Sequence, residues 1–406
     1  MRVLKNAGLG LAAGSFVLAG SGAAFAGAWD NLGIGSLNLL FAPEKFVVEA
    51  GATYVDRNVD YKITSSTGQL GEDITDGSTT ERVTPNVWDY RVGVKAQLLD
   101  NLNCLGRFNE PFNINEEMDP SWNGRNGGYE TKATTLGLDA TCAYTFDIDG
   151  SSNFRVIAGV KAIDLTYESH SMATVNFGLG RTDYPGGAEV KSDGMAWGWR
   201  AGVAYEIPEY ALRASLVYDS EVSADLEGEW YMNDLPDGLG GSYDITRPVS
   251  ASITAPQSVE LNVQSGIAPG WLATFGVKWM DWSVIDRLTL VYDDALGGVS
   301  TDRDLGFKDG WTVQAGIGHQ LTEKLALGSS VQWDRGVGGS YSDNYTFAAG
   351  GAYDLNDKVK LSLGGAAIYK TASSGGVYDD ASLAGYEYDY DSSWNFAVDT
   401  KLRVAF

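Results

Sequence analysis

The chain has 406 residues, with 51 Gly, 21 Tyr, 12 Trp and only 10 Pro, and a formal charge of −24. Abundant glycine and aromatics without helix-forming runs of Leu, Glu and Lys make a β composition. The acidic balance excludes a nucleic-acid binder, because no basic patch exists to neutralise phosphates.

The first residues read as an export signal. Arg2 and Lys5 precede an apolar, small-residue stretch over 7–20, and Ala24-Phe25-Ala26 forms an A-x-A cleavage site, so a signal peptide is expected over residues 1–26. Beyond Ala26 no run reaches the roughly 18 consecutive apolar residues that a spanning helix needs. A membrane-embedded chain of this kind must cross with strands.

From Lys45 onward apolar residues alternate with polar ones in many successive segments. The registers include Phe46, Val48, Ala50, Ala52 and Tyr54, then Trp88, Tyr90, Val92 and Val94, then Leu136, Leu138, Ala140, Cys142 and Tyr144. The last runs Trp394, Phe396, Val398, Thr400, Leu402, Val404 and Phe406, with Asp399, Lys401 and Arg403 on the alternate face. Six short turns, such as Asp100-Asn101 and 147–152, alternate with seven long polar segments, roughly 64–84, 113–130, 169–194, 226–250, 293–306, 335–344 and 371–391. That rhythm requires fourteen strands and predicts an all-β, fourteen-stranded antiparallel transmembrane β-barrel over 45–406, with a short N-terminal luminal segment over 27–44. A secreted β-sandwich or solenoid would also alternate, but would not place Tyr205, Trp271, Trp311 and Trp333 at strand ends, where they suit interfacial girdles. The acidic residues gather in the long segments and read as solvated loop surface, with divalent-cation bridging to surface lipid as the alternative.

Several residues stand out. Cys104 and Cys142, the only cysteines, share the apolar register of strands three and four, near the short-turn end. In an oxidising compartment they suit a cross-strand disulfide, with two buried or lipid-facing thiols as the alternative. Pro111, in Asn109-Glu110-Pro111-Phe112, cannot donate to a strand ladder; it either bends the third strand open or marks its end. Asp147-Ile148-Asp149-Gly150 begins like a calcium loop but lacks the later carboxylate, so it reads as a hairpin turn. With only His170 and His319, no nucleophile–base set emerges, and neither catalysis, cofactor nor metal is expected.

The second half carries Ala196-Trp197-Gly198-Trp199-Arg200-Ala201-Gly202, a Tyr205-Glu206 turn, Tyr218-Asp219-Ser220-Glu221-Val222, Ala255-Pro256, Trp279-Met280-Asp281-Trp282-Ser283 and Gly306-Phe307-Lys308-Asp309-Gly310-Trp311. In this order they resemble the FadL-type outer-membrane family of long-chain fatty acid transporters and aromatic-hydrocarbon importers. The resemblance implies a monomeric barrel in the bacterial outer membrane with an N-terminal hatch. A hydrophobic ligand would be caught by external loops and released sideways through the wall, without an energy source. It places the lateral gate at Pro111 and Phe112, and a carboxylate-binding cation at Arg303, unless Arg303 merely pairs with Asp302 or Asp304. His170 is the nearest candidate for a second basic group. Met172, Val175, Phe177 and Leu179 would meet the ligand in the loops. The hatch departs from the family in length: residues 27–44 suffice only for a partial plug, built on 29–41. A terminal strand bearing Trp394 and ending at Phe406 resembles the signal read by the barrel assembly machinery. The expected partners are thus a hydrophobic small molecule or lipid, outer-membrane lipid and that machinery. Passive uptake of hydrophobic molecules is the leading functional expectation; a general diffusion porin and a structural or adhesive barrel are the alternatives.

Overall fold

The computed structural model describes residues 30–406 except 69, 177–180, 238, 286, 293–298 and 379–383; of 175, 176, 181, 299, 301–304 and 378 it describes only the backbone. The expected signal peptide falls outside the described residues.

Among the described residues, fourteen antiparallel strands close into a barrel. In chain order the wall strands are Phe46–Asp56, Val87–Leu99, Leu102–Asn109 resuming as Asn113–Glu117, Glu130–Asp147 and Asn153–Asn176. The sixth to tenth are each built of two segments: Arg181–Ser192 with Ala196–Ile207, Leu212–Asp219 with Val222–Pro236, Ser242–Ala255 with Ser258–Ala268, Trp271–Met280 with Arg287–Tyr292, and Val299–Asp304 with Gly310–Gln320. Leu325–Asp334, Asn344–Asn356, Val359–Lys370 and Ser393–Ala405 complete the wall. The first and fourteenth strands pair from Val47↔Ala405 to Asp56↔Phe396 and leave no open edge.

Side-chain polarity is inverted relative to a water-soluble core. Trp88, Tyr90, Phe396, Val398 and Leu402 are exposed on the outside, whereas Lys95, Thr141, Arg200, Asp399 and Lys401 are buried on the lumen side. Lipid on one face and polar contacts on the other dictate this alternation. The short connections form turns as expected; at 147–152, Asp149 Oδ1 accepts hydrogen bonds from the Ser151 hydroxyl and from the Ser151 and Ser152 amides, which hold its carboxyl down to about 2.

The long segments are less loop-like than their polarity implies. Much of 169–194 and 226–250 is strand, because the fifth to eighth strands continue well past their apolar registers. Two other long segments supply a separate four-stranded sheet, ordered Ser373–Tyr378, Gly385–Tyr390, Asp60–Thr67 and Thr80–Arg82, at the long-loop end.

Candidate functional site: a lumenal cavity and the broken third strand

The long-loop half of the lumen encloses an apolar cavity of about 120 Å³. Phe112, Leu165, Leu226, Leu288 and Phe307 line it from the wall, and Tyr61, Tyr386 and Tyr388 line it from the separate sheet. Trp282, fully buried in a short 3₁₀ turn between the two segments of the ninth strand, meets Phe112 edge-on at 5.9 Å and Phe307 at 6.3 Å. Tyr61 stacks on Tyr388 at 3.9 Å. Burial lifts both tyrosine hydroxyls above the usual phenol range, so neither carries a charge.

A second chamber of about 80 Å³ adjoins it, sharing Tyr61, Asn113, Ile114, Glu116, Ser340 and Tyr341. Arg57 and Lys370 line this chamber. The buried Lys370 ammonium donates to the Ser340 carbonyl at 2.8 Å and sits over the rings of Tyr390, at 5.1 Å, and Tyr341, at 5.8 Å. Arg57 donates to the Asn115 carbonyl at 3.2 Å. Among the described residues neither cation is in an ion pair, and Glu116 is the only acid lining the chamber. An apolar cavity therefore opens on a polar pocket with two cations and one carboxylate.

Residues 30–44 run through the short-turn half of the lumen. Asp30 forms a buried ion pair with Lys278, Arg107 donates to the Ser36 carbonyl at 2.8 Å, and Arg155 and Arg213 lie over the Phe41 ring at 5.2 and 4.3 Å. Leu39, Leu40 and Phe41 pack with Val47, Leu105 and Ile157 of the wall. The polar lumen thus holds this segment by cationic side chains and one small apolar cluster.

The same segment meets the interruption in the third strand. That strand pairs with the second only as far as Val92↔Phe108, and with the fourth it stops at Asn109↔Gly137 and resumes at Asn113↔Thr134. The Glu110 and Pro111 carbonyls, left out of the ladder, accept hydrogen bonds from Asn31, through its side-chain amide and backbone amide, both at 3.0 Å. The Phe112 amide donates to Thr135 Oγ1 at 2.9 Å. Backbone groups at membrane depth must find partners, and here the N-terminal segment supplies them.

The expected site residues are distributed unevenly over this geometry. Phe112 lines the cavity, and Pro111 lies at an interruption rather than a strand end, since the strand resumes beyond it. Cys104 and Cys142 are register partners joined by a disulfide, on the outward register below that interruption. His170 and Met172 stand on the register opposite to Leu165 and Tyr167, which line the cavity, so neither is brought to it. The Arg303 backbone pairs with Leu288, and its side chain is not among those described. Phe177 and Leu179 lie outside the described residues. Trp394 and Phe406 are exposed on the outer face, Phe406 against Phe46 at 5.5 Å. Arg57 and Lys370 escaped the sequence reading because each stands at a strand end beside a polar loop, where a lysine or arginine is ordinary; Lys370, with no acid beside it in the chain, offered a signal, whereas Arg57 follows Asp56 directly and offered none.

The family model described as outer membrane protein transport protein (OMPP1/FadL/TodX) matches residues 6–338. A long-chain fatty acid transport protein of Escherichia coli is 21% identical over 389 residues, spanning 88% of this chain and 84% of that protein. The crystal structure of a Pseudomonas aeruginosa FadL homologue superposes with a TM-score of 0.79 at 16% identity, covering 96% of this chain and 98% of the other. The Pseudomonas putida toluene transporter TodX gives 0.63 at 15% identity, covering 91% and 92%. At such identities the superpositions speak to the fold.

Proposed function

Since this chain belongs to the outer membrane protein transport protein family (OMPP1/FadL/TodX), we propose that it carries hydrophobic molecules passively across the outer membrane, with a long-chain monocarboxylate as the preferred class. The observation that carries the choice is the junction of the apolar cavity with the chamber holding Arg57 and Lys370. An alkyl tail gains about 0.8 kcal/mol per buried methylene in the cavity. A carboxylate reaching Lys370 or Arg57 adds a charge-assisted contact of about 1.5–3 kcal/mol. The tail thus supplies most of the affinity and the head the selectivity.

From the cavity the ligand passes Phe112, which also lines a lower chamber of about 50 Å³ beside Pro111. The unpaired stretch between the second and third strands is the lateral exit in this reading. Residues 30–44 are its hatch, because Asn31 holds the carbonyls of the interruption from inside. A diffusion porin fits less well: its open aqueous lumen is hard to reconcile with Asp30, Ser36 and Phe41 held by lumenal cations. A neutral aromatic hydrocarbon is the second reading, favoured by the tyrosine-rich end of the cavity.

Binding of a fluorescent long-chain carboxylate and of its methyl ester to the purified protein separates these. Lys370→Met should weaken carboxylate binding about 10- to 100-fold and leave ester binding within about 2-fold. If wild type binds the ester as tightly as the acid, and the variant binds both as wild type does, the carboxylate preference fails and the neutral reading stands.

A further inference from the structure

The outward face of the long-loop rim carries a second constellation, separate from the lumen. Glu130 opens the fourth strand and lies directly opposite His170 on the fifth, and Glu168, two residues before His170, shares its face. One ligand atom from each of Glu130, Glu168 and His170 falls within 4.8 Å of the others, with His170 Nε2 at 4.0 Å from Glu130 Oε2. All three side chains are half-buried.

The imidazole is oriented by a feature that spans three strands. His170 pairs with Gly187 on the sixth strand, and Gly187 in turn pairs with Tyr231 on the seventh. Because position 187 has no side chain, Tyr231 Oη reaches across to His170 Nδ1 at 2.6 Å. A Cβ at that position would stand 2.9 Å from Tyr231 Oη and 3.0 Å from His170 Nδ1, closing the passage. Tyr129 stacks on the imidazole at 6.1 Å. With Nδ1 engaged by the tyrosine, Nε2 is the nitrogen presented to the carboxylates. A histidine ligand is commonly fixed in this way by a partner on its other nitrogen.

Charge placement adds a separate reason. Glu168 lies directly opposite Glu189, and Glu189 directly opposite Glu229, so three carboxylates line up across neighbouring strands. Like charges in direct opposition destabilise a sheet. Lys132, opposite Glu168 on its other side, makes no ion pair with it, and Glu168 has no hydrogen-bond partner among the described residues.

We propose that Glu130, Glu168 and His170 bind one divalent transition-metal ion of the zinc class from the external medium, with Tyr231 as the positioning residue. One imidazole and two carboxylates match such an ion, whereas calcium takes 6–8 oxygen ligands and magnesium keeps an octahedral, largely hydrated shell. Zinc holds its ligand atoms at about 2.0–2.2 Å, which draws the two flexible glutamates in by a small rotation. The ion would tie the fourth strand to the fifth and offset the row of glutamates.

The full chain, refolded in detergent and stripped with a chelator, can be titrated with Zn²⁺ by calorimetry. One equivalent should bind, and the same concentration of Ca²⁺ or Mg²⁺ should not. His170→Ala and Glu168→Gln should each abolish stoichiometric binding, while His319→Ala, which removes the other histidine, should leave it intact. Tyr231→Phe should weaken binding about 10- to 100-fold and shift the visible absorption of the Co²⁺-loaded protein, a readout that a purely structural tyrosine would not move. Heat-modifiable migration in electrophoresis establishes that each variant is folded. Absence of stoichiometric Zn²⁺ uptake by wild type, or uptake by folded His170→Ala equal to wild type, would overturn the site. An unchanged Co²⁺ spectrum in Tyr231→Phe would overturn the role of Tyr231.

Discussion

Gly137 faces the interruption of the third strand so closely that a Cβ there would meet Asn109 Oδ1 at 2.5 Å and Pro111 Cδ at 2.8 Å. The proline ring cannot rotate away, so Gly137→Ala forces the interruption itself to move, at a cost of about 1–3 kcal/mol. We expect a lower urea midpoint for the refolded variant and slower uptake of a long-chain carboxylate in whole cells. A lowered midpoint with wild-type uptake would count against this stretch as the exit. Pro111 was legible in sequence because proline's missing donor is a local property that no tertiary context restores. The cysteine pairing was legible for a similar reason, since two residues at equal height on adjacent strands follow from counting the meander. Arg57, Lys370 and the His170 face were not, because whether a strand-end residue turns inward depends on a register that is lost once both faces are wet.

The N-terminal segment is anchored at its far end by the apolar cluster of Leu37, Leu39, Leu40 and Phe41, whereas its start is held by an individual charge. Asp30 is wholly buried and its carboxylate meets Lys278, which also donates to the Gly33 carbonyl at 3.3 Å. Asp30→Asn removes the charge and leaves the ammonium buried, a change of about 3–5 kcal/mol where one member of a buried pair is lost. The start of the segment, ahead of the apolar cluster, should then undock without unfolding the wall. Planar-bilayer recordings should show frequent, irregular openings in Asp30→Asn, and Asp30→Asn with Lys278→Met should restore much of the quiet behaviour. If the single variant is as quiet as wild type, Asp30 does not hold the hatch. The strands themselves illustrate where periodicity fails. Alternation marks a strand only where lipid meets one face, so 169–194 and 226–250 read as polar loops although hydrogen bonding continues through them. A sequence with no apolar face gives no period to count.

For the molecule as a whole, a plugged transporter and a pore differ in what residues 30–44 do, and the closure of the wall does not depend on them. The ladder that closes the barrel runs from Val47↔Ala405 to Asp56↔Phe396 without any residue of 30–44, and the thirteenth strand covers the other edge of the fourteenth from Val359↔Val404 to Lys370↔Ser393. Asp399 and Arg403, on the lumen face of the last strand, find partners within the wall: Asp399 with Arg91 and Thr53, and Arg403 with Glu49. The segment contributes to the wall its apolar cluster, the partners for Arg107, Arg213, Lys278 and the interrupted third strand, the Glu44 carbonyl that accepts from Lys95 and the Gly35 amide that donates to Glu260. Deleting residues 30–44 should therefore yield a barrel that still inserts and shows heat-modifiable migration, with lower stability. It should conduct in larger and steadier steps than the full chain, because the short-turn half of the lumen is then open to water. Uptake of the carboxylate should lose its saturation, since the cavity no longer discharges past a closed hatch. Conductance equal to that of the intact protein would mean that the constriction lies at the aromatic cavity around Tyr61 and Phe112, and that residues 30–44 line the path without closing it.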